Sequence, residues 1–266
     1  MHRHFFSFLL FSVGVCTGLS AVRHDRILSP SEAKEVWEDF SRQEIRPIQV
    51  NFSWSSSSQA NGPAQGSGRL DLRTTDGIVE GKYFQEDRCK FSYAISSQAT
   101  EWQEYHSDGS ATAVRDSSQP LPEYGGLSLF DLSMPFLHWE TVTYLSHGRV
   151  LGRPVQRFSL KPNSSQKWQN PTVASVEISL DTAWHIWLKI IYRDTNGKIL
   201  QYANVLQLRK IGEVGFEESV DFITFPSRKK VRLILQYRAD KVTSDPIPSE
   251  KKDSSVPIDP ISVPHE

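Results

Sequence analysis

Leu127-Ser128-Leu129-Phe130-Asp131-Leu132-Ser133-Met134-Pro135-Phe136-Leu137-His138-Trp139 is the stretch on which the fold turns. It is the most apolar part of the chain outside the N-terminus, yet it lacks the alternation of a strand. Pro135 limits any single helix across it, because proline lacks a backbone donor and clashes with the turn before it. The region from Leu121 to Trp139 therefore predicts two short helices, or a helix and an ordered loop, packed on a sheet. Gly125 and Gly126 precede it and read as a simple turn or as a hinge.

On both sides the text is strand-like. Upstream, Ile48 to Trp54 alternates apolar and polar residues, and Arg69 to Arg73 does so again. Ile78 to Phe84, Arg88 to Ile95, Glu101 to Tyr105 and Ala111 to Arg115 follow as short strands. A loop rich in Ser, Gly and Asn is expected from Ser55 to Gly68. Downstream, Arg149 to Leu160 reads as two strands joined by a Gly-containing turn. Val173 to Leu180, Trp184 to Arg193, Lys198 to Arg209, Val220 to Phe225 and Lys230 to Arg238 complete the set. Asp194-Thr195-Asn196-Gly197 is the strongest hairpin signal. In the strand that begins at Trp184, Ile186, Leu188, Ile190 and Tyr192 fall on one side, Trp187 and Ile191 on the other. Strands so closely spaced form an antiparallel meander, since parallel pairs need long crossovers. Before them, Ser29-Pro30-Ser31-Glu32 offers a cap, a proline at the first helical position and a capping-box glutamate. Ala33, Val36, Trp37 and Phe40 then make one apolar stripe on a helix that ends before Pro47.

About ten to twelve antiparallel strands, one amphipathic helix and one apolar insert define the fold class: mainly β, with some α. A sheet this large curls. A curled sheet with a helical lid over an apolar concave face can hold a hydrophobic ligand.

The termini read differently. Residues 1–21 match a secretory signal peptide: a basic Met1-His2-Arg3-His4, an apolar run from Phe5 to Val15, then small residues up to Ala21. That run is shorter than the roughly 20 residues a membrane-spanning helix needs. Cys16 follows Val15, whereas a lipidation box places a small residue there. The body of the protein is expected over 22–240. Residues 241–266, rich in Pro, Ser and Lys, cannot build a core and are expected to be disordered.

Composition removes several function classes. Lys and Arg total 30 against 31 for Asp and Glu, a net charge of −1, so the basic surface of a nucleic-acid binder is missing. Two cysteines exclude a disulfide scaffold and a Cys-based zinc or iron–sulfur site. After signal removal Cys89 alone is left, and its place in a strand suggests a small buried residue. His106, His138, His147 and His185 lack ligand spacing, so no metal and no cofactor is expected. The Gly-rich 62–68 segment lacks the ending of a phosphate loop, and no nucleophile elbow occurs, so no catalytic residue is assigned and no enzyme is expected. Glu217, Glu218 and Asp221 read as solvated surface acids, and Arg228-Lys229-Lys230 as a solvated turn.

The segment Asp131 to Trp139 resembles the outer-membrane lipoprotein-sorting proteins, the LolA-like group, in its divergent bacterial branch. A Gly148-Arg149-Val150-Leu151-Gly152-Arg153 strand pair, a strand Val176 to Asp181 and the Asp194-Thr195-Asn196-Gly197-Lys198 hairpin follow in the order and spacing of that family. The likeness spans about Ile27 to Arg238 and is carried mainly by Asp131 to Phe225. Pro154 and the tail depart from the pattern. The resemblance implies a half-open curved antiparallel β-barrel with helices in its mouth, LolA/LolB-like, in the periplasm. It implies a carrier of lipoprotein acyl chains or another lipid, bound in an apolar cavity and delivered to the outer membrane with the help of inner- and outer-membrane partner proteins. The same fold could instead serve a periplasmic sensor or scaffold. Trp54, Leu70, Leu72, Phe91, Tyr93, Trp187, Phe130, Met134, Phe136 and Trp139 are the candidate lipid-binding residues.

Overall fold

The structure, a computed structural model, describes residues 14–15, 25–41, 47–57, 65–96, 99–211 and 214–237. The expected signal segment, apart from Gly14 and Val15, and the expected tail lie outside the described residues.

The elements are β1 (Gly14–Val15), α1 (Pro30–Ser41), β2 (Ile48–Ser56), β3 (Gln65–Thr75), β4 (Ile78–Gln85), β5 (Arg88–Ile95), β6 (Thr100–Tyr105) and β7 (Ala111–Ala113). The insert follows, with β8 (Pro120–Leu121), a 3-10 turn at Pro122–Tyr124, β9 (Leu127–Ser128), α2 (Leu129–Ser133) and a second 3-10 turn at Pro135–His138. Then come β10 (Thr141–Val150), β11 (Arg153–Lys161), β12 (Ser175–Asp181), β13 (Ile186–Arg193), β14 (Ile199–Ile211), β15 (Val214–Thr224) and β16 (Lys229–Tyr237).

Among the described residues every ladder is antiparallel, and the strand order is β10-β11-β12-β13-β14-β15-β16-β2-β3-β4-β5-β6-β7, with β1 against β15. Two meanders are thus joined in mid-sheet by β16 and β2, which pair from Val231↔Ser56 to Tyr237↔Val50. The end strands β10 and β7 do not pair with each other, so the large curved sheet stays open. This is the expected mainly β, half-open architecture. The insert connects the two end strands, and that connection carries it into the concave face.

α1 begins as its sequence dictates. The Ser29 amide donates to Glu32 Oε2 at 2.9 Å and the Ser29 hydroxyl accepts from the Glu32 amide at 3.4 Å, closing the capping box. Ala33, Trp37 and Phe40 are buried, and the Trp37 ring sits 5.4 Å from Phe158 on β11.

Three expectations need correction. The loop expected over Ser55 to Gly68 is strand at both ends: β2 runs to Ser56 and β3 starts at Gln65. Trp54 pairs with Gly66 and Phe52 with Gly68, and a Cβ on either glycine would come within 2.7–2.8 Å of the facing aromatic ring or of a backbone oxygen. Glycine here leaves room for rings lying across the strand, rather than marking a loop. Trp187 is not on the far side from Ile190. A bulge at Ser179/Leu180 sets Trp187 opposite Leu180, while Ile178 faces Ile190, so all four share the concave face. Finally, Glu217 and Asp221 are buried, at 0% and 4% exposure. Asp221 is enclosed by Lys230 at 2.5 Å and Arg232 at 2.7 Å. Burial pulls its carboxyl upward, but the hydrogen bonds from Arg232 and Lys230 outweigh this and hold it below the usual carboxylate range.

Candidate functional site: the insert in the concave face

From Leu127 to Leu137 every residue of the insert is buried, as is Trp139. α2 is too short to be stable alone, so its surroundings hold it. Ser128 caps it: the Ser128 hydroxyl accepts from the Asp131 amide at 3.1 Å, and Asp131 Oδ2 accepts from the Ser128 amide at 2.8 Å. The other oxygen of Asp131 accepts from Gln201 Nε2 on β14 at 2.7 Å. Burial pushes this carboxyl up, and the Ser128 and Gln201 bonds only partly oppose it. At its other end α2 meets the opposite meander. The Tyr83 hydroxyl donates to the Leu132 carbonyl at 2.8 Å and Trp102 Nε1 to the Ser133 hydroxyl at 3.0 Å. α2 therefore bridges both halves of the sheet.

Gln169, which ends a 3-10 turn at Lys167–Gln169 between β11 and β12, ties the open side together. Its carbonyl accepts from the Ser117 hydroxyl at 2.5 Å, its Oε1 from Trp139 Nε1 at 2.8 Å, and its Nε2 donates to Thr100 Oγ1 at 2.9 Å. His138 ends the insert, and burial pushes its imidazole down to about 4, so at neutral pH the ring is uncharged.

The rings fall into two groups. Phe130, Phe136 and Trp139 pack together, and Phe130 and Phe136 also pack on Tyr192 of β13, with centroids 5.6–6.2 Å apart. Tyr124, in the first 3-10 turn, packs on Phe52, Tyr83 and Phe91 at 5.8–6.2 Å, and Tyr83 touches Tyr93 at 6.1 Å. Gly125 and Gly126 follow Tyr124 with φ of +71° and +87°, a backbone that side chains resist. A Cβ on Gly125 would also stand 2.8 Å from the Trp54 ring.

All ten candidate lipid-binding residues lie in this region, and each is at most 4% exposed: Trp54, Leu70, Leu72, Phe91, Tyr93, Phe130, Met134, Phe136, Trp139 and Trp187. Sequence reading missed Tyr83, Tyr124 and Tyr192 as site residues, though Tyr83 and Tyr192 lie on strands it marked. It missed Gln169 and Gln201 as well, whose partners lie 30 to 70 residues away. The hydroxyls of Tyr93, Tyr124 and Tyr192 are buried with no hydrogen-bond partner. Each such hydroxyl costs about 1–3 kcal/mol relative to a bonded one.

Elsewhere, a polar cleft of about 700 Å³ opens among Gln49, Asn51, Ser53, Ser67, Arg69 and Asp87, with Arg69 stacked 4.1 Å over Phe84. Cys89 is half-buried, its Sγ 3.6 Å from the Phe91 carbonyl, and burial pushes the thiol up, which lowers its reactivity. Residues that carry the family resemblance act as braces. Arg149 bonds Asp25. Arg153 bonds the fully buried Asp181 and lies 3.9 Å over the Trp184 ring.

No protein-family model matches the chain, and no curated protein matches it in sequence. Solved structures do match it. A domain assigned as an outer membrane lipoprotein-sorting protein from Vibrio parahaemolyticus is 15% identical, with a TM-score of 0.63 over 79% of this chain and 94% of that one. A DUF1329 family protein from Desulfovibrio piger is 11% identical, with a TM-score of 0.62 over 81% and 95%. A LolA superfamily protein from Nitrosomonas europaea is 11% identical, with a TM-score of 0.56 over 77% and 91%. At such identities the likeness is one of fold, and the fold of this chain is the LolA-like one.

Proposed function

We propose that this protein is a non-enzymatic periplasmic carrier that takes the acyl chains of lipoproteins, or of another lipid, into its concave face for delivery to the outer membrane. The observation that carries this reading is the insert. An apolar segment fills the concave face of an open sheet, entered through a hydrogen-bonded glycine turn at Gly125–Gly126. A fold shared with a domain assigned to lipoprotein sorting supports the same reading.

Energetics decide how such a carrier loads. Fully burying one large apolar side chain is worth about 1.5–3 kcal/mol, and the insert buries Tyr124, Leu127, Leu129, Phe130, Leu132, Met134, Phe136, Leu137 and Trp139. Exposing even half of these to water would cost on the order of 10 kcal/mol, comparable to the roughly 5–15 kcal/mol that holds a whole domain folded. An acyl chain returns about 0.8 kcal/mol per CH₂. Loading is thus an exchange in which chain replaces insert step by step, and release is the reverse once the lipid has a membrane to enter.

A second reading has its own support. The ten candidate side chains pack on one another and on the insert, which suits a closed core in a sensor or scaffold. Native mass spectrometry of the mature protein, purified gently from its own periplasm, separates the two. A bound mass that organic solvent extracts as lipid, or a co-purifying acylated protein, is the expected result. A clean apo mass together with no uptake of a fluorescent fatty acid would overturn the carrier reading.

A further inference from the structure

We infer that the hydroxyls of Tyr93 and Tyr124 form a carbonyl-binding station, donating to the ester or amide carbonyls at the head of an acyl ligand once the Pro122–Gly126 turn, which carries Tyr124, shifts to admit it. This rests on the carrier reading and goes a step further, by naming the part of the ligand that is recognised.

Both tyrosines are at most 3% exposed, and neither hydroxyl has a partner. Phenylalanine would fill the same ring positions without stripping a hydroxyl of water, so packing alone does not call for tyrosine. Tyr83, in the same ring cluster, shows the contrast, because its hydroxyl is spent on the Leu132 carbonyl. The two unpaired hydroxyls therefore point to a second state in which they are bonded.

Position suggests what that state is. Tyr124 belongs to the insert and Tyr93 to β5, and the rings between and around them are Tyr83, Phe52 and Phe91. Lifting the turn at Gly125–Gly126 uncovers Trp54, Phe52 and Phe91 while α2 stays fixed at both ends by Gln201, Tyr83 and Trp102. The Tyr93 ring lies directly on Gly81, where a side chain would overlap it. The rings themselves carry no charge, and the nearby Glu123 carboxylate acts on Tyr124, so an anion would enter uncompensated and repelled. Burial also pushes both phenols up, so they remain donors. A neutral carbonyl attached to an acyl chain matches one donor fixed on β5 and a second carried by the turn, both set among rings.

The test compares a diacyl phosphatidylglycerol, its dialkyl ether analogue and a tripalmitoylated cysteinyl peptide as ligands of the mature protein. They are measured against wild type, Tyr93→Phe, Tyr124→Phe and the double variant. Two hydrogen bonds predict roughly ten-fold tighter binding of the ester than of the ether by wild type. The double variant is expected to bind both equally, with a melting temperature no lower than wild type. Tighter binding of the lipopeptide than of the phospholipid, or the reverse, tells which source supplies the carbonyl, provided the phenylalanine variants weaken it. Equal ester and ether binding by wild type, or a preference that survives in the double variant, overturns the station and leaves the carrier standing. Failure of wild type to bind any of the three overturns both.

Discussion

The two meanders present different linings to the same insert. In β11 to β13 the concave face is mainly aliphatic: Leu160, Val176, Ile178, Leu180 and Ile190 are at most 1% exposed. α1 packs on this half through Trp37, and Arg153 with Asp181 pins its turn. In β2 to β5 the lining is aromatic and glycine-floored, with Trp54 on Gly66, Phe52 on Gly68 and Tyr93 on Gly81. Two partnerless hydroxyls, those of Tyr93 and Tyr124, lie on this side, against one, that of Tyr192, on the other. Aliphatic side chains interdigitate at crystal-like density and leave little to rearrange. Rings laid over glycine can tilt without meeting a side chain beneath them. The aliphatic meander is the fixed wall, and the aromatic meander is the side whose contents can be exchanged.

The strongest way to break this contrast is to empty the fixed wall. Phe158, 1% exposed, is held between Trp37 and Tyr144. Phe158→Ala should cost about 3–5 kcal/mol, because its packed neighbours cannot collapse into the space. Urea unfolding would show it as a lower midpoint at unchanged slope; a loss under about 1 kcal/mol would mean this wall is as adaptable as the other.

A smaller effect comes from pH. His138 titrates near 4 in the fold and near 6.5 when unfolded. Between these values the unfolded chain binds the proton and the folded chain does not, so stability falls as pH drops, by up to about 3 kcal/mol at pH 4. Asp131 acts in the opposite sense, since its raised carboxyl favours the fold as it protonates. His138→Gln should flatten the wild-type decline between pH 7 and 5. An unchanged decline in thermal melts of that variant would place the sensitivity elsewhere.

The same contrast explains what the sequence disclosed. Period-two text from Ile48 to Trp54 and from Lys230 to Arg238 marks two strands that turn out to be neighbours, but nothing local says that β16 joins β2. That pairing is the closure of a long loop and follows from the whole sheet. Periodicity marks Phe91, Tyr93 and Trp54 as buried. It cannot tell a ring that fills a core from one that lines an exchangeable site, since both face inward. Alternation misplaced Trp187 because one bulged residue reverses facing for the rest of a strand. The capping pair Ser128 and Asp131 follows the usual spacing and was legible in principle, whereas Gln169 and Gln201 are single polar residues whose roles exist only across the fold. The acids Glu217 and Asp221 look like surface because charged residues usually are, and Lys230 and Arg232 reverse that at Asp221.

The finest comparison sets one tyrosine against another within a single ring cluster. Tyr83→Phe removes the donor to the Leu132 carbonyl and leaves that buried oxygen without it, a cost of about 1 kcal/mol. Tyr93→Phe, 6.1 Å away between ring centroids, removes a hydroxyl that bonds nothing and should leave stability equal or slightly higher. Both substitutions delete one oxygen from rings of like burial, so area and packing cancel in the difference. What remains is whether the oxygen is used in the closed state. If chemical unfolding gave the two variants the same loss, Tyr93 would be bonded in the resting protein, and the aromatic side would be no freer to exchange its contents than the aliphatic one.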